Sequence, residues 1–226
     1  MILTIHQPQY IPWLPYILKI KKSEVFILLD SVSFQKNGLQ NRNKIKTAQG
    51  SSWLTVPIIR NSGQKIIDTK INNSTDWKKK HWNTLLQNYN SSPYFHHYIK
   101  EIEEIYQYDW EYLSELNKAF LELILKWMNI KTKIILSSNL KSSGKGSELI
   151  LNICKELGAT KYISGMGGRN YLELDSFESE GIDIQFSEAK LAKNHYQNHA
   201  SIGFLNDLSV IDLIFNCGNK WNDYTI

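Results

Sequence analysis

The sequence predicts an α/β fold: a mostly parallel, Rossmann-like sheet with crossover helices, plus a helical insert and a small N-terminal hairpin region. Three observations predict it. The last ninety or so residues alternate between strand-like and helix-like segments, the pattern of parallel strands joined by crossovers. Residues 24–30 (EVFILLD) are apolar on both faces, as a strand covered on both sides must be. Residues 74–130 follow the helical period without a strand between, and read as an insert in a single domain spanning 1–226.

Residues 1–6 make a short apolar strand ending in His6. Residues 7–15 hold three of the five prolines and form a stiff loop. A short helix is expected over 16–22, then the buried strand 24–30. Residues 52–58 and 64–71 read as two strands of a hairpin turning at Asn61-Ser62-Gly63. Trp77, His81, Leu85 and Tyr89 share a helix face. Ser92-Pro93 is an N-cap and first-turn pair for a second helix carrying Ile99, Ile102 and Tyr106. Leu113, Leu116, Phe120 and Ile124 mark a third. Then come a strand at 133–137, a helix at 145–157 stopped by Gly158, and a strand at 161–164. The loop GMGGRN and a short helix over 171–179 follow. A strand at 182–186 and a helix from Asp207 or Ser209 to Gly218 complete the chain.

Composition excludes several classes. The chain of 226 residues is 42% hydrophobic and 21% charged, which supports a real core and rules out disorder. The longest clean apolar run, Val25–Leu29, is strand-sized, so a membrane span is excluded. MILTIHQPQYIPW has no basic leader segment, and a cytoplasmic location is expected. Cys154 and Cys217 fit neither a metal nor a disulfide spacing. The net charge of +4 comes with 23 Lys, 3 Arg and 20 Asn, a compositional bias rather than a nucleic-acid patch. Against so many lysines, Arg42 and Arg169 stand out as residues whose planar fork suits a phosphate or carboxylate.

In an open parallel sheet, ligands bind beyond the carboxyl ends of the strands. Four strands here end in polar residues: His6-Gln7, Asp30, Ser137-Ser138 and Ser164-Gly165. His6 is the candidate for proton transfer, titrating near neutrality and framed by Pro8, Pro12 and Pro15. Phe34 through Asn43 is dense in donors, including Lys36, Asn41, Arg42 and Asn43, and suits an anionic polar ligand. Gly165, Gly167, Gly168 and Arg169 lie between a strand and a helix, where backbone N–H groups approach a phosphate. The loop matches neither a dinucleotide fingerprint nor a P-loop. His195 and His199 are four apart, without the glutamate of a zinc helix, so no metal is expected.

His6-Gln7-Pro8-Gln9-Tyr10-Ile11-Pro12-Trp13, then Asp30, Val32, Phe34 and Lys36, then Asn41-Arg42-Asn43 and Trp53-Leu54-Thr55-Val56-Pro57 resemble the WbqC-like protein family. The resemblance continues through Trp77, His81, Tyr94-Phe95 and Tyr171-Leu172 to Leu208–Asn216, with Pro15 where the family often has glycine. It implies a place in bacterial O-antigen, lipopolysaccharide or related surface-polysaccharide synthesis, and a transferase of glycyl or similar groups to an amino sugar. No cofactor is expected to stay bound. An acyl-CoA or acyl-carrier-protein thioester would be the co-substrate, and a nucleotide-linked amino sugar the acceptor.

On the physical reading, His6 takes the amine proton and Asp30 orients His6 or the amine. Lys36, Arg42 and Arg169 hold phosphates. Gln7, Tyr10, Trp13, Asn41, Asn43, Ser164, Gly165, Gly167, Gly168 and Tyr171 complete the expected contacts. Two alternatives remain open. One is an ATP-dependent nucleotidyl-transfer enzyme, although an HxGH pattern is missing. The other is a non-catalytic nucleotide-sugar-binding protein whose aromatics stack on sugar rings.

Overall fold

The structure, a computed structural model, describes residues 1–188 and 194–225. The chain divides into two compact units. The sheet unit comprises Met1–Gln7, Pro15–Val32 and the chain from Lys131 through the last strand. The helical unit comprises Pro8–Leu14, Ser33–Ile130 and the C-terminal segment. The insert expected at 74–130 therefore lies inside a larger unit, which also takes in the loop after His6 and the C-terminal helix.

The sheet unit holds β1 (Ile2–His6), β2 (Val25–Leu28), β5 (Lys133–Leu136), β6 (Lys161–Gly165) and β7 (Asp183–Ser187), all parallel, in the order β5-β2-β1-β6-β7. Alternation along the central strands sorts side chains to two faces. Leu3, Ile5, Val25, Ile27 and Leu29 pack with Leu149, Ile150, Ile153 and Cys154 of α5 (Gly146–Glu156) and with Phe177 of α6 (Leu174–Ser179). On the other face, Phe26 meets Tyr16 of α1 (Leu14–Lys21) edge to face at 5.5 Å. Helix α1 is buried almost all round, Lys19 included. Helix α5 stops where Gly158 takes φ 66°, a left-handed conformation that spares it the clash a side chain would meet.

The helical unit holds the antiparallel hairpin β3 (Arg42–Thr47) and β4 (Gly50–Thr55) with α2 (Trp77–Tyr89), α3 (Phe95–Gln107), α4 (Leu113–Trp127) and α7 (Val210–Cys217). The hairpin differs from the expected one. It turns at 48–49, with Gly50 at φ 110° and Thr47 Oγ1 donating to Gly50 O at 2.9 Å. Residues 64–71 form no strand and meet the chain through isolated bridges such as Ile58–Ile71. The segment RNKIKT hides its strand because the buried positions include Asn43 and Lys46. The second helix of the insert starts two residues after Pro93, with Tyr94 before its first turn. Ser209 caps α7 by accepting from Ile211 N.

Candidate functional site

From β1 the chain steps outward through β2 to β5, then returns past β1 to β6 and β7. The order reverses between β1 and β6, and in open α/β sheets that reversal opens a crevice beyond the carboxyl ends. Thr4 pairs with Ile163, and the same register carried two residues on sets His6 level with Gly165. His6, Gln7, Ser164 and Gly165 thus flank the reversal.

His6 is half-buried at this point. Its Nδ1–H donates to Gln7 O at 3.0 Å, because a carbonyl can only accept. That tautomer leaves the Nε2 lone pair unprotonated. The imidazole packs edge to face on Tyr16, with centroids 4.9 Å apart. Below it Lys19 Nζ donates to Ile5 O at 3.0 Å. Burial, then the Lys19 charge, push the His6 pKa down to about 3, against the Gln7 hydrogen bond. Burial pushes Lys19 down to about 7. His6 is therefore a neutral imidazole at neutral pH, and its protonation near 6–7, expected from its type, moves far into acid.

Asp30 lies beyond β2 and is 1% exposed. Its Oδ1 accepts from Ser137 Oγ and Ser138 N, both at 2.9 Å, and its Oδ2 from Ser138 Oγ at 2.8 Å. Ser137 Oγ also receives Ser31 N at 3.1 Å. Asp30 therefore ties the end of β2 to the end of β5. These bonds, not His6, engage its carboxylate.

After β6 comes a 3-10 turn, Met166–Asn170, and then the six-residue α6. The helix expected over 171–179 thus begins only at Leu174, and the loop before it winds into the 3-10 turn. Gly167 is open to its surroundings. At Gly168 a Cβ would lie 2.1 Å from Ser164 Oγ and 2.9 Å from Leu172 Cδ1, so that glycine is needed for close packing under the loop. Arg169 places its guanidinium 4.4 Å over the Phe186 ring, and Tyr171 is exposed.

The other expected contacts belong to the helical unit. Tyr10 is fully buried, its hydroxyl paired with His81 Nδ1 at 2.8 Å and Tyr106 OH at 2.7 Å. Asn41 Nδ2 donates to Val56 O and Asn43 Nδ2 to Ile11 O, both at 2.8 Å. These three were expected to touch ligand. They instead hold loops and the interior, because a buried amide or hydroxyl needs a partner within the fold. Trp13 is half-buried and bridges to Ser209. Lys36 is exposed. Arg42 donates to Asn37 O at 2.7 Å and lies 4.4 Å over Trp53, which is largely exposed.

Sequence reasoning missed Lys19 and Tyr16. Lys19 lies three residues after Tyr16 on α1, and beside Lys21 and Lys22 nothing marks its burial. It also missed a polar cluster in the helical unit, where Asp212 accepts from Tyr89 OH at 2.9 Å, Gln197 Nε2 at 2.9 Å and His195 Nε2 at 3.0 Å. The same bond takes one ring nitrogen of His195 away from the zinc role weighed above. Among the described residues, no group of three or more His, Cys, Asp or Glu is placed to hold a metal ion. Nor is any described helix long and apolar enough to cross a membrane.

Comparison with known proteins agrees with the motif order. The chain is 33% identical over 224 residues to the uncharacterized protein Rv1507c of Mycobacterium tuberculosis, covering 98% of this chain and 96% of that one. No solved structure matches it. The model of the WbqC-like protein family matches residues 7–224, almost the whole of both units, and the chain belongs to that family.

Proposed function

We propose that the protein is an N-acyl or aminoacyl transferase acting on a nucleotide-linked amino sugar in surface-polysaccharide synthesis, with the reacting groups held beyond β1 and β6. The observation that carries this reading is the sheet reversal, with the neutral His6 imidazole at its edge. The sugar amine attacks the donor thioester carbonyl. A C–N bond forms, the C–S bond breaks, and the amine proton leaves with the thiol. His6 Nε2 orients the amine by accepting its N–H. A base whose conjugate acid has a pKa of about 3 does not keep that proton at neutral pH, so it positions the nucleophile and passes the proton on. Arg169, stacked on Phe186, supplies a fork for phosphate beside the β6 loop.

A second reading, ATP-dependent nucleotidyl transfer, is favoured by the buried Lys19 beneath the end of β1, a cation suited to a polyphosphate. Mass spectrometry of the purified protein incubated with nucleotide amino sugars and acyl donors, with and without ATP, tests both. Acylated sugar formed from a thioester without ATP supports the first reading. Product that requires ATP and releases AMP or pyrophosphate replaces it with the second.

A further inference from the structure

Lys19 is 3% exposed, and its ammonium has one hydrogen-bond acceptor, the Ile5 carbonyl. Among the described residues no carboxylate pairs with it. The nearest charge-bearing strand end, that of β2, has Asp30 committed to Ser137 and Ser138. A buried ammonium normally brings a counter-charge with it, because desolvating a lone ion is expensive. Tyr16, one helical turn earlier, is also 3% exposed, and its hydroxyl has no hydrogen-bond partner among the described residues. Buried hydroxyls without partners are rare in folded chains. Both groups lie on the α1 side of the sheet, Tyr16 against the His6 ring and Lys19 on the carbonyl of the residue before it. Two buried donors, one with a single acceptor and one with none, thus lie on the same side of the sheet near the end of β1.

We propose that Lys19 and Tyr16 form an anion subsite beneath His6, which takes a phosphoryl oxygen of the ligand as the missing acceptor and counter-charge. The subsite deepens the reading of the β1/β6 crevice as a nucleotide site, and rests on it. Lys19 Nζ keeps its bond to Ile5 O and turns a second hydrogen toward the phosphoryl oxygen. Tyr16 OH donates the other bond. His6, as a neutral imidazole, adds no charge that would repel the Lys19 ammonium.

Calorimetry of the full chain with inorganic pyrophosphate and with UDP tests this, beside wild type, Lys19→Met and Tyr16→Phe. Wild type binds both probes. Lys19→Met weakens both by about tenfold to a hundredfold, the worth of one charge-assisted bond, and Tyr16→Phe weakens both by about tenfold. Thermal melts taken alongside show Lys19→Met folded and more stable than wild type. Wild-type affinity for pyrophosphate and UDP in Lys19→Met overturns the subsite while leaving the nucleotide reading standing. Lys19-dependent pyrophosphate binding without any transferase activity supports the subsite and counts against the transferase reading. Absence of wild-type binding to either probe overturns the subsite.

Discussion

Among the described residues each unit buries one lysine, and the two are treated differently. In the helical unit Lys46 is 1% exposed and donates to Gly203 O at 2.6 Å and Gln197 Oε1 at 3.2 Å. Gln197 in turn donates to Asp212, whose charge raises the Lys46 pKa against the lowering by burial. In the sheet unit Lys19 has one carbonyl and no anion, and Asp30 has three donors and no cation. Opposite charges are joined through one network in the first case and held apart in the second. Both side chains are almost wholly covered, and a lysine that builds the fold differs from one that awaits a ligand in whether the chain supplies its counter-charge.

The largest effect is expected where the network is complete. Asp212→Ala removes the acceptor of Tyr89, Gln197 and His195 at once, and the anion that favours Lys46. Breaking one partner of a buried charged cluster costs about 3–5 kcal/mol. All seven tryptophans (Trp13, Trp53, Trp77, Trp82, Trp110, Trp127 and Trp221) fall in the helical unit, so their fluorescence in a urea titration reads that unit alone. A transition displaced by less than about 1 kcal/mol would show the cluster to be dispensable.

The two lysines should answer the same substitution with opposite signs. Lys19→Met removes an uncompensated buried charge and should stabilise the sheet unit by about 1–4 kcal/mol. Lys46→Met takes the donor from Gly203 O and one of two donors from Gln197 Oε1, which keeps Leu205 N, and should destabilise the helical unit. Wild-type stability carries a matching pH signature. Lys19 holds its proton below about 7 in the fold and below 10.5 when unfolded. Between those values the unfolded chain binds more protons, so stability rises with pH, and below about 7 the full cost of the charge is present. In Lys19→Met that rise should vanish. Cys154, buried in the sheet unit, gives the readout through its thiol protection, and a Lys19→Met protein less protected than wild type would contradict the comparison.

How much of this was legible in sequence follows the same division. The five parallel strands were readable as short strand-like segments set between helix-like ones, β2 most clearly because it is apolar on both faces, and α2 to α4 because their buried stripes repeat at the helical period. His6, Asp30, Ser164 and Gly165 were readable as polar residues ending apolar strands. Lys19 was not, since it stands near Lys21 and Lys22 in a chain with 23 lysines and its burial is a tertiary fact. Strand β3 was hidden because the helical unit satisfies Asn43 and Lys46 through partners far along the chain, Ile11 and Gln197. Tyr10, Asn41 and Asn43 looked like ligand contacts for the same reason: their partners are internal and come from distant segments. Short-range pattern reports which residues are apolar. It does not report where a polar residue finds its partner.

A smaller effect is expected at the glycines after β6. Gly168→Ala forces Ser164 Oγ and Leu172 to move and should cost about 1–3 kcal/mol. Gly167→Ala meets nothing and should stay within about 0.5 kcal/mol. Equal costs for the two would mean that the loop is not packed on Ser164.

Two histidines, one in each unit, set the acid side of the stability curve. Burial holds His81 of the helical unit down to about 4, and burial together with the Lys19 charge holds His6 of the sheet unit down to about 3. Both titrate near 6.5 when unfolded, so below 6.5 the unfolded chain takes protons that the fold refuses, and stability falls with pH. Each group contributes at most about 1.4 kcal/mol per pH unit. The His81 slope should end near pH 4, where the folded ring itself protonates, whereas the His6 slope should persist to about 3. Tryptophan fluorescence reports the first, and reaction of Cys154 with dithiodipyridine, which labels thiols in acid, reports the second. His6→Asn should flatten the Cys154 curve below pH 6.5. Lys19→Met should leave His6 neutral by burial alone, so that its slope ends at a higher pH than in wild type. A slope that ends at the same pH in Lys19→Met and wild type would mean that the buried lysine exerts no field on His6, and the unpaired charge at the end of β1 would lose its claim to shape the site.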